Sequence, residues 1–189
     1  MGRTIAIIAE QRDGKLRQSS VEALQAANMM ATKEDRLIFV IIGHGLAVAS
    51  RKLAAYNVAE VLLVDHPDLA EYNPELYMHA AESVFQQIDP DIIIMGHTAV
   101  GRDLAPRIAA RLQAGMVSDI TGIELKGEQV RFIRPIYAGK AFEHKMITAV
   151  PWVITVRANN ILPARAVEAD AKRREISFDP PQSIRTMVK

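Results

Sequence analysis

The chain has 189 residues, 49% of them hydrophobic and 24% charged, with a formal net charge of +1 and no Cys. That length suits one domain or one domain with an appendage. The apolar share supports a full core, and the near-neutral charge removes the bulk electrostatic case for nucleic acid or an anionic membrane. The absence of Cys excludes disulfides, thiolate zinc sites, thiolate-held iron–sulfur clusters and a Cys nucleophile.

The N-terminus runs straight into a strand-like segment without the layout of a secretory signal. No apolar run reaches the ~20 residues of a membrane span, so a soluble cytoplasmic protein is the expectation. Thr4 to Ala9 is a short apolar run of the kind that forms a parallel strand buried on both faces. A polar loop from Glu10 to Arg17 follows, with Asp13-Gly14 as a turn signal. Ser19-Ser20-Val21-Glu22 has the form of a capping box and predicts a helix start there. Leu37 to Ile42 is a second buried strand, stopped by Gly43-His44-Gly45, and Leu46 to Tyr56 reads as a short helix. Val61 to Val64 is a third strand.

Asn73-Pro74 supplies an N-cap and a proline at the first helical position. Tyr77, Ala80, Ala81, Val84, Phe85 and Ile88 then form an apolar stripe, ended by Asp89-Pro90. Ile92 to Met95 is a fourth strand. The next helix is expected to begin near Asp103, because Pro106 is tolerated only in a first turn. From Met116 the rhythm changes. Segments near 116–124, 130–137, 142–148 and 152–156 are β-like, and read as a fifth parallel strand followed by antiparallel additions. From Ala164 to Lys189 the composition is charged and irregular, which predicts an extended linker leading out of a domain spanning 1–163.

Strand–helix alternation implies parallel βαβ units with right-handed crossovers, hence a doubly wound, mostly parallel α/β sheet. Ligands bind such sheets beyond the carboxyl ends of the strands, where strand order reverses. For an order of 3-2-1-4-5 that point lies between the first and fourth strands, at the loops Glu10 to Ser19 and Gly96 to Arg102. There a helix N-terminus, the Thr98 hydroxyl, the Gly101 backbone and the Arg102 guanidinium form a candidate nucleotide crevice. A glycine and a polar cap are also what any strand–helix turn needs. No G-x-G-x-x-G or Walker-type loop is present.

The five His residues share no metal-ligand spacing, so no metal site is expected; His97 alone sits at the candidate crevice. Ser118 has no nucleophile elbow around it, and Asp119 reads as a turn cap. In Arg134-Pro135-Ile136-Tyr137-Ala138-Gly139-Lys140, Pro135 argues for an edge strand or a bulge. Arg134, Tyr137 and Gly139 have the character of interface anchors.

Gly101 to Arg111, Ser118-Asp119 and Arg134 to Gly139, in this order and spacing, resemble the electron transfer flavoprotein alpha subunit. Ile7-Ile8-Ala9-Glu10 and Ile154-Thr155-Val156-Arg157 are similar to the same family, and the resemblance covers most of residues 3–160. It implies the N-terminal domain of that subunit, with an adenine-nucleotide-hydrolase-like sheet and a vestigial crevice at Gly101, Arg102 and Thr98. That domain would be a non-catalytic part of an electron carrier, a scaffold paired with a beta subunit through Arg134, Tyr137 and Gly139. FAD would be held mainly by a C-terminal domain absent here, with none expected on this segment. The donors implied are dehydrogenases and the acceptor a quinone reductase or similar protein. Two departures stand out: the glycine-rich FAD segment is missing, and Lys140 stands where the family usually has Asn. A surface left bare by a missing domain also allows a homodimer of the isolated chain. The rival reading is a stand-alone AMP- or ATP-binding module resembling universal stress proteins. A small α/β enzyme using Asp119 and His97 ranks last.

Overall fold

The structure is a computed structural model that describes residues 2–127 and 129–181. Its centre is a seven-stranded sheet in which every pairing is parallel. In chain order its strands are β1 (Thr4–Ala9), β4 (Arg36–Gly43), β5 (Glu60–Asp65), β6 (Ile92–Gly96), β7 (Gly115–Ile120), β11 (Trp152–Val156) and β12 (Lys172–Glu175). Across the sheet the order is β12-β5-β4-β1-β6-β11-β7. A three-stranded antiparallel sheet holds β8 (Gly122–Lys126), β9 (Gln129–Ile136) and β10 (Ala141–Lys145). A two-stranded ribbon, β2 (Gln11–Arg12) with β3 (Lys15–Leu16), makes the polar turn after β1.

Helices α1 (Gln18–Met30) and α2 (Ala47–Ala54) pack on one face of the sheet. Helices α3 (Pro74–Ile88) and α4 (Ala99–Leu112) pack on the other. Because both faces are covered, the central strands are continuous apolar runs: β4 is buried from Leu37 through Gly43. The small sheet joins the α1/α2 face. Its Phe132 and Ile123 enter that core, and the Phe132 ring meets Trp152 edge-on at 5.9 Å.

The doubly wound parallel fold and the added antiparallel strands are those the alternation predicts. Four finer expectations change. The strand beside β6 is β11, not the segment after α4, so 152–156 is a parallel strand inserted between the fourth and fifth predicted ones. A short apolar run carries no record of its neighbours, and only burial on both sides explains why β11 is buried from Val153 onward. The capping box at Ser19 does not form. Helix α1 begins at Gln18, and Ser20 Oγ instead accepts from the Glu10 backbone N–H at 2.8 Å and donates to the Glu10 carbonyl.

Helix α4 begins at Ala99, before the expected Asp103. Thr98 is its N-cap, and its hydroxyl accepts from Gly101 N–H at 3.1 Å, while Pro106 sits inside the helix. Packing of Leu104, Ala105 and Ile108 against the sheet outweighs the one backbone bond that Pro106 removes. Finally, residues 164–178 are not an irregular tail. Ala164, Val167 and Ala171 donate backbone N–H groups to Val21, Ala55 and Ala54. Strand β12 then pairs with β5, and Ile176 is buried. Residues 182–189 of the expected linker lie outside the described residues.

Candidate functional site

Strand order reverses between β1 and β6, as the sheet topology requires for a switch point there. The loops after these two strands carry the predicted crevice. Gly96 ends β6, and a Cβ there would come 2.7 Å from Ser19 Cβ on α1. A Cβ on Gly101 would lie 1.9 Å from the Gly96 carbonyl oxygen. Both glycines are therefore packing requirements that let the first turn of α4 lie flat on the end of β6. Ser19 Oγ is buried beside Gly96 without a hydrogen-bond partner.

The Thr98 hydroxyl donates to Glu10 Oε1 at 2.6 Å while it caps α4. A carboxylate of the chain itself thus stands at the mouth of the crevice, next to a helix N-terminus whose dipole favours negative charge. Burial pushes the Glu10 carboxyl above its ordinary value, against the opposing effects of the Thr98 hydrogen bond and the Arg17 charge. Over this side folds the segment after β5. Leu69 is fully buried, Tyr77 donates to its carbonyl, and Tyr72 donates to Asp103 Oδ2 on α4 at 2.7 Å. The Tyr72 and Tyr77 rings meet edge-on at 4.9 Å.

On the other side of β6, the carboxyl ends of β6, β11 and β7 gather a different set. Asp119 adopts φ 62° at an irregularity where β7 shifts register against β11. The Arg157 guanidinium binds its carboxylate through two nitrogens, Nε at 2.9 Å and Nη2 at 2.5 Å. Thr155, fully buried, accepts the Asp119 backbone N–H at 2.9 Å and lies 2.8 Å from His97 Nδ1. The buried Thr155 hydroxyl needs an acceptor, and Nδ1 is the one in reach. His97 therefore carries its proton on Nε2, which faces Asp119 Oδ1 at 3.7 Å. Burial above all holds His97 below its ordinary value. Asp119 opposes that shift, and the charges of Arg102, Arg157 and Arg134 add to it. Hydrogen bonding from Arg157 in turn holds Asp119 below the ordinary 3.8. A neutral His97 with Nε2 protonated is an orienting group, not a base.

Arg134 lies on β9 opposite Glu143, with Nε 3.3 Å from Glu143 Oε1 but without the alignment of a hydrogen bond. Pro135 sits beyond the last β8–β9 pair, Gly122 with Ile133, so its missing N–H falls where β9 is flanked by β10 alone. The chain then turns through three consecutive residues with positive φ: Tyr137 at 50°, Ala138 at 55° and Gly139 at 86°. Glycine tolerates that conformation; tyrosine and alanine each carry a cost of about 1 kcal/mol or more. The Tyr137 side chain is 78% exposed.

A family model described as "Electron transfer flavoprotein domain" matches residues 5–182 of the chain. The chain belongs to the electron transfer flavoprotein family. It is 39% identical over 173 residues to the electron transfer flavoprotein subunit alpha of Bacillus subtilis, covering 92% of this chain and 52% of that protein. The subunit alpha of Thermoanaerobacterium thermosaccharolyticum is 34% identical over 181 residues, 94% of this chain and 54% of that protein. The acryloyl-CoA reductase electron transfer subunit beta of Anaerotignum propionicum is 32% identical over 124 residues, 65% of this chain and 34% of that protein. The chain spans about half the length of the two alpha subunits.

Electron transfer flavoproteins bind FAD. The described residues do not fit that group at the switch point. A diphosphate laid across the ends of β1 and β6 would meet the Glu10 carboxylate, whose charge it repels. Among the described residues no group of three His, Asp or Glu is placed to hold a metal ion, and no helix is long and apolar enough to cross a membrane.

Of the residues predicted from sequence, Gly101 and Thr98 shape the closed side of β6. Arg102 and Arg134, predicted for two separate roles, both act by their charge on His97. Tyr137 and Gly139 form the exposed turn beyond Arg134. Sequence reasoning missed the Glu10–Thr98 and Asp119–Arg157 pairs as contacts. Each was signalled only by a charged residue ending or following an apolar run.

Proposed function

We propose that this chain is the N-terminal portion of an electron transfer flavoprotein alpha subunit, acting as a non-catalytic scaffold. It would hold a homologous beta subunit and position a FAD bound mainly by the remainder of the alpha subunit. The heterodimer would carry electrons in the cytoplasm from dehydrogenases to a quinone reductase-type acceptor. The domain would run through β12, which pairs with β5, and the residues beyond it would lead towards the FAD-binding part. The observation that carries this reading is the family match over residues 5–182 joined to relatives named as alpha subunits. The self-filled crevice supports a scaffold over a nucleotide enzyme. Arg134, Tyr137 and Gly139 would lie at the subunit interface, where a strained turn presenting an exposed tyrosine has a use.

Co-expression of this chain with the beta subunit of its source organism tests the reading. Co-elution in size-exclusion chromatography is expected; separate elution of two folded proteins would refute it. The rival nucleotide module predicts micromolar ATP binding by calorimetry. The Glu10 carboxylate, standing where the phosphates would lie, predicts none.

A further inference from the structure

Resting on that reading, we propose that Arg102, Arg134 and Arg157 form a docking site for an acidic side chain of the partner subunit. Three arginines from three different elements are gathered at the carboxyl ends of β6, β11 and β7: Arg157 follows Val156, whose carbonyl accepts the His97 N–H at 2.6 Å, and gives its own N–H to Ile120; Arg134 follows Ile133, whose carbonyl accepts the Thr121 N–H; and Arg102 lies in the first turn of α4, five residues after His97. Two carboxylates answer them, Asp119 for Arg157 and Glu143 for Arg134. Glu143 is shared with Lys145 at 3.6 Å, so the three arginines and Lys145 face two carboxylates and positive charge is in excess. Arg102 is the arm without a carboxylate: it is exposed and has no ion pair among the described residues. Arg134 adds a second open guanidinium: its Nε is buried 3.3 Å from Glu143, but the side chain is 31% exposed.

The rest of the arrangement holds these groups in place. The Asp119 carboxylate fixes Arg157 with a two-point contact, and the Asp119 backbone is itself held by Thr155. A guanidinium locked in this way loses little freedom when it donates to a second carboxylate, and a planar fork matches a carboxylate in two points. The occupant we assign is a protein side chain because Arg134 leads directly into the β9–β10 turn. Tyr137 is exposed there in a strained backbone and Lys140 adds a further positive charge. Arginine and tyrosine side by side are what protein interfaces use as anchors. This deepens the interface expected from Arg134, Tyr137 and Gly139. It adds Arg102, read from sequence as a nucleotide ligand, and Arg157.

The test is binding of the purified chain to the beta subunit at low and high salt, for wild type, Arg102→Glu, Arg102→Lys and Arg134→Gln. Arg107→Glu is the control, a substitution on α4 at a residue paired with Asp103 of the same helix. Because Arg102 is exposed, its variants keep the fold, and a thermal melt verifies this. We expect Arg102→Glu and Arg134→Gln each to weaken binding about tenfold or more, Arg102→Lys to retain most of it, and high salt to lower the wild-type association rate. Arg107→Glu should stay within about twofold of wild type. Binding that ignores salt and all three variants, with wild-type affinity intact, overturns the docking site while leaving the scaffold reading standing. No binding by the folded wild type overturns both. Competition by inorganic phosphate, with the charge variants still binding the beta subunit normally, would assign the patch to a small anion and overturn the proposal.

Discussion

The two sides of β6 differ in where their charges point. Towards β1, the Glu10 carboxylate is turned inward onto the Thr98 hydroxyl and covered by the Tyr72–Tyr77 segment. Towards β11, Asp119 gathers Arg157 and His97, and guanidiniums remain facing water. Both lie at carboxyl ends of parallel strands, the place where this sheet architecture binds ligands. What separates them is stoichiometry. On the β1 side one carboxylate is held by one hydroxyl donor at a helix cap. On the β11 side the cations outnumber the anions and one arm is left over. Two carboxylates, Glu10 and Asp119, set this difference within one and the same sheet.

The largest expected effect removes the wall common to both sides. Gly101→Ala puts a methyl group 1.9 Å from the Gly96 carbonyl oxygen, which no rotamer change relieves. Forcing α4 off β6 should cost about 3 kcal/mol in urea unfolding, and a loss below 1 kcal/mol would show that the wall is not tight. Asp119→Asn breaks the β11 side alone. It weakens the two-point contact to Arg157 and should cost about 1.5 kcal/mol. Its pH signature is directional. The folded Asp119 carboxyl titrates below the ordinary 3.8, so its contribution is complete above that value and is lost as pH falls through the folded value. In the variant this component of acid unfolding should disappear; an unchanged acid limb would count against the pairing.

Thr98→Val acts on the β1 side, removing both the cap of α4 and the donor to Glu10, and should cost about 1 kcal/mol. Substitution by Ser should restore most of it, and failure of that rescue would point to the methyl group and not the hydroxyl. Glu10→Gln is the smallest and has the opposite sign. Glu10 is raised above the ordinary 4.5, so the folded protein loses stability as pH rises through the folded value. The amide keeps an oxygen for the Thr98 hydroxyl and removes the buried charge. The variant should therefore be slightly more stable than wild type at neutral pH, with the difference vanishing below pH 4.5. Equal or lower stability at neutral pH would mean that the carboxylate is favourably solvated there.

Much of the scaffold was legible without coordinates because local physics is written locally. Apolar runs such as Leu37 to Ile42 declare strands buried on both faces. Asn73-Pro74 declares a helix start, and the Asn73 side chain does accept from the Glu75 and Leu76 N–H groups. The failures have one cause. Ser19 to Glu22 and Pro106 are ambiguous locally, and tertiary contacts decided them: Ser20 was drawn to the Glu10 backbone, and α4 was extended by its packing on β6.

By itself the sequence determined the layer architecture, the position of the switch point and the family resemblance, since periodicity, turn residues and ordered motifs are properties of neighbouring positions. Tertiary structure alone decided that β11 lies between β6 and β7. That insertion carries Thr155 and Arg157 to Asp119 across 36 and 38 positions of chain, and Thr155 to His97 across 58. Contacts of that reach depend on strand order, which the energetics of the whole sheet select and no local pattern records.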